Sequence, residues 1–204
     1  MRRSPTVALL GLLLAAAAAA ALEPSLAVQQ YVHEAWEVDV GLPQNSVLDI
    51  VQTSDGYLWL ATFDGLARFD GVRFEVFDPA TTPAMTTGSI WALAEDADRR
   101  LWVATNGGGL LVSERGTFRA FTVADGLPSD YVRSLAVGSG QVWVGTNDGL
   151  ARRVGDRFEV VGEVEHPVVA LSLGADGTLW VGTDGGGVLA VDGALMKELG
   201  GLLQ

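Results

Sequence analysis

This sequence predicts an all-β protein, a β-propeller of about four four-stranded antiparallel blades. Three observations carry that prediction. A Trp-centred phrase returns four times at spacings of 43, 41 and 37 residues, a period near the forty of one blade. Asp-Gly and Gly-Asp pairs separate short β-branched and aromatic runs, and such pairs make tight hairpins because glycine takes positive φ at little cost. No stretch beyond residue 27 sustains a 3.6-residue apolar period, so helices are not expected.

In chain order, the first element is an address. Met1-Arg2-Arg3 is a basic start, residues 7–22 are an apolar run rich in Ala, and Ser25-Leu26-Ala27 supplies small residues at signal-peptidase spacing. Residues 1–27 are therefore expected to be a secretory signal peptide, cut before Val28, with a cut after Ala21 as the alternative. A secreted chain without Cys fits a bacterial periplasm better than a disulfide-stapled extracellular module. Next, Trp36-Glu37-Val38-Asp39-Val40-Gly41-Leu42-Pro43 matches Phe121-Thr122-Val123-Ala124-Asp125-Gly126-Leu127-Pro128, which ends the second repeat and opens the third. Residues 31–40 are accordingly expected to form the outer strand of a closing blade, removing a free sheet edge.

Four blades follow, at about 46–78, 88–122, 130–161 and 167–197, within a propeller region spanning 28–204. Their signatures are Leu58-Trp59-Leu60-Ala61-Thr62, Leu101-Trp102-Val103-Ala104-Thr105, Val142-Trp143-Val144-Gly145-Thr146 and Leu179-Trp180-Val181-Gly182-Thr183. Val47, Ile90, Val132 and Val168 lie about twelve residues upstream of each Trp, and Phe74, Phe118, Phe158 and Leu195 fifteen or sixteen downstream. In the first blade the strands are expected at 46–52, 57–62, 66–69 and 72–77. Apolar alternation is weak in the first two, as a sheet covered on both faces should show. The four Trp residues are expected to fill the space between blades. In the last blade Leu195-Met196-Lys197 stands where an aromatic strand is expected.

Composition narrows the function. The chain has 204 residues and a net charge of −12, which disfavours nucleic acid and anionic membrane as partners. With no Cys and only His33 and His166, Cys-zinc sites, thiolate catalysis and a His metal cluster have no ligands, and neither a metal site nor a cofactor is expected. Asn106-Gly107-Gly108-Gly109 and Asp184-Gly185-Gly186-Gly187 lack the following Lys-Ser/Thr of a phosphate loop, and Asp96-Ala97-Asp98 reads as a hairpin rather than a calcium loop.

Gly41-Leu42-Pro43, then Asn45-Ser46-Val47, then Asp55-Gly56-Tyr57-Leu58-Trp59-Leu60-Ala61-Thr62, then Arg68-Phe69-Asp70-Gly71 resemble the two-component regulator propeller repeat. The likeness covers Trp36 to about Val191. It implies the periplasmic sensor of an inner-membrane receptor. In that family two seven-bladed propellers lead to a small β-sandwich, one membrane helix and a histidine kinase or diguanylate cyclase. The chain is expected to be the front fragment of such a receptor, with a self-contained four-bladed propeller as the alternative. Downstream blades, signalling domains and a second receptor copy in a dimer are the expected partners.

Strand order then assigns loops to faces. The crossing from outer to inner strand and the second-to-third strand loop share one face, which carries Gln44, Asn45, Asp64, Asn106, Asn147, Asp148 and Asp184, with Ser129, Asp130 and Tyr131. Such a ring suits a neutral polar ligand such as an oligosaccharide, although Asp-Gly and Asn-Asp-Gly also simply make turns. Trp91 and Arg133 join the candidates because the other repeats carry Leu48 and Val169 there, so blade packing demands neither. No catalytic residue is assigned. The expected function is ligand sensing without catalysis, with a protein-binding scaffold or a propeller lyase or glycosidase as alternatives.

Overall fold

The computed structural model describes residues 34–192 and the backbone of 195–198. The expected signal peptide lies outside them. Residues from Trp36 onward form one compact unit. It contains four antiparallel sheets. The first holds β1 (Val47–Gln52), β2 (Leu58–Thr62), β3 (Gly65–Phe69) and β4 (Phe74–Phe77). The second holds β5 (Ile90–Glu95), β6 (Leu101–Thr105), β7 (Leu110–Glu114) and β8 (Thr117–Phe121). The third comprises β9 (Val132–Gly138), β10 (Gln141–Thr146), β11 (Gly149–Val154) and β12 (Arg157–Val160). The fourth comprises β13 (Val168–Leu173), β14 (Leu179–Thr183), β15 (Val188–Asp192) and β16 (Leu195–Glu198). Strands pair in chain order within each sheet.

Turn chemistry sets these boundaries. At Asp55-Gly56 the Thr53 N–H donates to the Tyr57 carbonyl (2.9 Å) and Gly56 takes φ +93°. Where the second sheet has Arg99 in place of that glycine, the arginine adopts φ +62° and is held by its N–H bond to the Asp96 carbonyl (2.9 Å). Asp96 Oδ1 also accepts from the Asp98 and Arg100 N–H groups, so the Asp96-Ala97-Asp98 stretch is a hairpin. On the other side of each sheet, Thr62, Thr105, Thr146 and Thr183 donate their hydroxyls to the carbonyls of Gly65, Gly109, Gly149 and Gly187. The threonine of the repeated phrase thus closes the second-to-third strand loop.

Sheets stack face to face, with each first strand against the next: β1 on β5, β5 on β9, β9 on β13. Between the first pair lie Trp59, Leu66, Leu93, Leu101 and Val103; between the second, Trp102, Phe121, Val142, Val144 and Phe158; between the third, Leu150, Val168, Leu179, Val181 and Leu189. Burying such side chains supplies about 1.5–3 kcal/mol each. Two polar bonds stitch the first strands. Asp49 Oδ2 accepts from the Leu93 N–H (2.7 Å), and Ser134, at the same repeat position, donates to the Val168 carbonyl (3.0 Å).

Two expectations need correction. Trp180 is 41% exposed where Trp102 is 1%, because the described residues place no further sheet against it. The outer strand expected over 31–40 is absent at its end: Val38–Val40 form a 3-10 turn, as Val123–Asp125 do in the matching segment. The match sets Trp36 against Phe121, the last residue of β8, but no strand is assigned over 34–37, of which Glu37 is extended, and 31–33 lie outside the description. Trp36 nevertheless touches the first sheet, its ring 5.2 Å from that of Phe69, although it is 47% exposed where Phe121 is 2%. In all four sheets the register of the first strand also slips at one residue, and the bulged residues are Leu48, Trp91, Arg133 and Val169.

Candidate functional site

A bulge leaves one residue out of the ladder and turns its side chain off the alternating pattern. The bulges here fall at the start of each first strand, beside the loops of the shared face. Trp91 and Arg133 are therefore freed from sheet packing by the backbone itself. The Arg133 guanidinium lies 4.6 Å from the Trp91 ring centroid, a cation–π stack. Arg133 Nε donates to Asn147 Oδ1 at 2.6 Å, which fixes the plane of the guanidinium. Phe63 also meets the indole edge-on, with centroids 6.5 Å apart and planes at 82°. Phe63, Trp91, Arg133 and Asn147 thus form one row across three successive sheets.

Each member has its own exposure and bonding. Phe63 is 45% exposed, a phenyl ring presented to solvent. Trp91, Arg133 and Asn147 are half-buried. The Trp91 indole N–H is enclosed and has no acceptor among the described residues, an arrangement that costs free energy unless a partner arrives. Bulge residues Leu48 and Val169 flank the row at 40% and 41% exposure.

The remaining candidates are not drawn into this row. Gln44 accepts from the Ser46 N–H in its own turn. Asn45 Oδ1 accepts from the Val38 N–H (3.0 Å), as Asp130 Oδ1 at the same repeat position accepts from Val123 (2.9 Å). Asp64 and Asp148 are exposed, and their N–H groups donate to the closing Thr62 and Thr146 hydroxyls (3.2 Å each). Asn106 and Asp184 use their N–H groups on the Ser89 and Pro167 carbonyls. Asp184 follows Thr183 directly and so takes the place of Asn147, not Asp148. Tyr131 is 49% exposed beside Gly107, and Ser129 is buried.

Sequence reasoning passed over Phe63, treating it as part of a turn. The signal was there: the equivalent positions hold Asn106, Asn147 and Asp184, so an aromatic residue at that loop position has no turn-forming reason.

The profile of the two component regulator propeller family matches residues 41–64 and 85–107, the lead-ins and first loops of the first two sheets. Those two stretches are two-component regulator propeller repeats. A histidine kinase P4 from Formosa agariphila is 51% identical over 37 residues, 18% of this chain and 3% of that one. The extracellular domain of the hybrid two component system BT3049 from B. thetaiotaomicron superposes with a TM-score of 0.63 at 24% identity, covering 74% of this chain and 21% of that one. The corresponding domain of BT4673 gives 0.65 at 20%, covering 75% and 22%. A virginiamycin B lyase from Staphylococcus aureus gives 0.59 at 12%, covering 74% and 54%. At these identities the structures show the shared propeller fold. The chain spans about a fifth of the length of these two extracellular domains.

Proposed function

We propose that this regulator propeller is a ligand-sensing, non-catalytic segment of a transmembrane two-component-type receptor. It stands in the periplasm, with the receptor anchored in the inner membrane, and passes the ligand state to downstream blades and signalling domains of a receptor dimer. The row Phe63–Trp91–Arg133–Asn147 carries the reading. It joins an exposed ring, an indole with an unused donor, a guanidinium and an amide. These groups bind hydroxyl-rich, ring-shaped ligands such as oligosaccharides, and the row itself contains neither the carboxylate nor the imidazole of an acid–base catalyst.

The test uses residues that the other repeats themselves carry. Trp91→Leu and Arg133→Val install the residues found at positions 48 and 169, so both variants keep a bulge-compatible side chain. On an array of neutral and acidic oligosaccharides, the wild-type chain should bind at least one glycan, and each variant should bind it about tenfold or more weakly while keeping its melting temperature. Wild-type affinity retained in both variants would remove the site from this row.

A further inference from the structure

The opposite face, formed by the first-to-second and third-to-fourth strand hairpins, holds a second feature that the sensing row does not use. Only 13 residues of the chain are Lys or Arg, against 25 Asp or Glu. Four of those cations, Arg100, Arg115, Arg119 and Arg153, line one crevice of about 540 Å³ between the second and third sheets. Its floor is apolar and buried: Trp102, Val112 and Phe121. The guanidinium of Arg119 stands 4.4 Å from the Phe121 centroid, and those of Arg153 and Arg100 stand 5.4 and 5.8 Å from that of Trp102. Aromatic faces are what hold the like charges near one another.

These cations are unevenly neutralised. Arg100 is committed, to Asp96 and Asp98 at 2.7 Å each. Burial pushes the Asp96 carboxyl up, but the bonds it accepts from the Arg100 N–H, the Trp102 indole and the Arg100 guanidinium hold it below the ordinary aspartate value. Arg153 has a buried Nε–H with no acceptor, and it reaches Asp156 only at 3.7 Å, where that carboxylate is 80% exposed. Arg115 and Arg119 take part in no ion pair among the described residues. Glu114 and Asp156 are the acidic residues that line the crevice.

Comparison between repeats shows that blade architecture does not require this arrangement. In the first and third sheets the cross-strand pairs Arg68–Glu75 and Arg152–Glu159 are ion pairs. In the second sheet the same register pairs Val112 with Arg119, so the charge is reversed and left unpaired. At the position of Arg153 the other repeats have Phe69, Ser113 and Val191; at that of Arg100 they have Tyr57, Gln141 and Thr178.

We propose that this crevice binds a small solute through an oxyanion group: sulfate, phosphate or carboxylate. The planar guanidinium fork matches such groups in two-point geometry, and the enclosed Arg153 Nε–H would gain the acceptor it lacks. The site lies on the other face from the sensing row, so its success or failure is independent of that reading.

The test is calorimetric titration of the full chain with sodium sulfate, sodium phosphate and sodium acetate, in sodium chloride of matched ionic strength. Saturable heat with at least one of the three is expected; sulfate or phosphate would indicate a tetrahedral group and acetate a carboxylate. Arg119→Glu and Arg153→Ser, residues that other repeats carry, should each weaken binding about tenfold or more, and Arg73→Gln on the first sheet should not. Arg119→Gln replaces Arg119→Glu if the charge reversal disturbs folding, as read by circular dichroism. Heats that follow ionic strength without saturation, or variants that bind as the wild type does, would overturn the proposal.

Discussion

Trp102 and Trp180 hold the same repeat position, yet one is 1% and the other 41% exposed. Trp102 packs with Phe121 and Phe158 at centroid distances of 5.9 and 6.2 Å, and its indole N–H donates to Asp96 Oδ2 at 2.8 Å. Removing it opens a cavity and takes one of several donors from the Asp96 carboxylate, so Trp102→Ala should cost about 3–5 kcal/mol. Trp180→Ala removes a ring with water on one side and should cost about 1 kcal/mol or less. Urea unfolding of the two variants, at protein concentrations low enough to keep the chain monomeric, checks the contrast. Equal costs would mean that Trp180 is covered in solution by something the described residues do not include.

Between residue and sheet, the link most sensitive to backbone chemistry is the turn that carries the chain from one sheet to the next. Gly126 takes φ +100° there, and a Cβ on it would stand 2.0 Å from the Phe158 carbonyl oxygen. Strain and collision coincide at this residue. At Gly116, in a hairpin, φ is +84° but a Cβ meets nothing within 4 Å. Gly116→Ala should therefore cost about 1 kcal/mol from backbone strain alone, and Gly126→Ala distinctly more, measured as the shift in unfolding midpoint. This turn was legible in the sequence because Gly-Leu-Pro returns after Trp36 and Phe121. The strands were legible for the same reason: aligned tryptophans and Asp-Gly pairs mark where they start and stop. The bulges were not. Constant spacing between Val47 and Ile50, and between their counterparts, is preserved whether or not one residue leaves the ladder, so alignment of repeats cannot reveal a slip that every repeat shares. The candidate row was half legible. Trp91 and Arg133 stood out as departures from their repeat, but their stacking, and the part of Phe63, depend on three sheets meeting at one mouth.

At the scale of the whole molecule, the described sheets stack one on the next and leave two unequal ends. Ile50 on β1 is 57% exposed, whereas Leu93, its counterpart on β5, is 8% exposed beneath the first sheet. On the last sheet Trp180 and Val188 are 41% and 49% exposed, whereas Trp102 and Leu110 on the second are 1% and 0%. Each end thus shows water the kind of surface that a neighbouring blade covers elsewhere in the same chain. A repeat protein draws its stability from such interfaces, and uncapped ends promote association. The net charge of −12 opposes precipitation but does not cover an apolar face. The isolated chain should therefore elute from size-exclusion chromatography as oligomers. Ile50→Glu combined with Trp180→Glu should shift it to monomer with its β-sheet circular dichroism intact. Fusing further regulator-propeller blades after the fourth sheet should have the same effect by occupying the Trp180 face. A wild-type chain that is monomeric at high concentration and melts cooperatively would show that the two ends close on each other, as in a four-bladed ring.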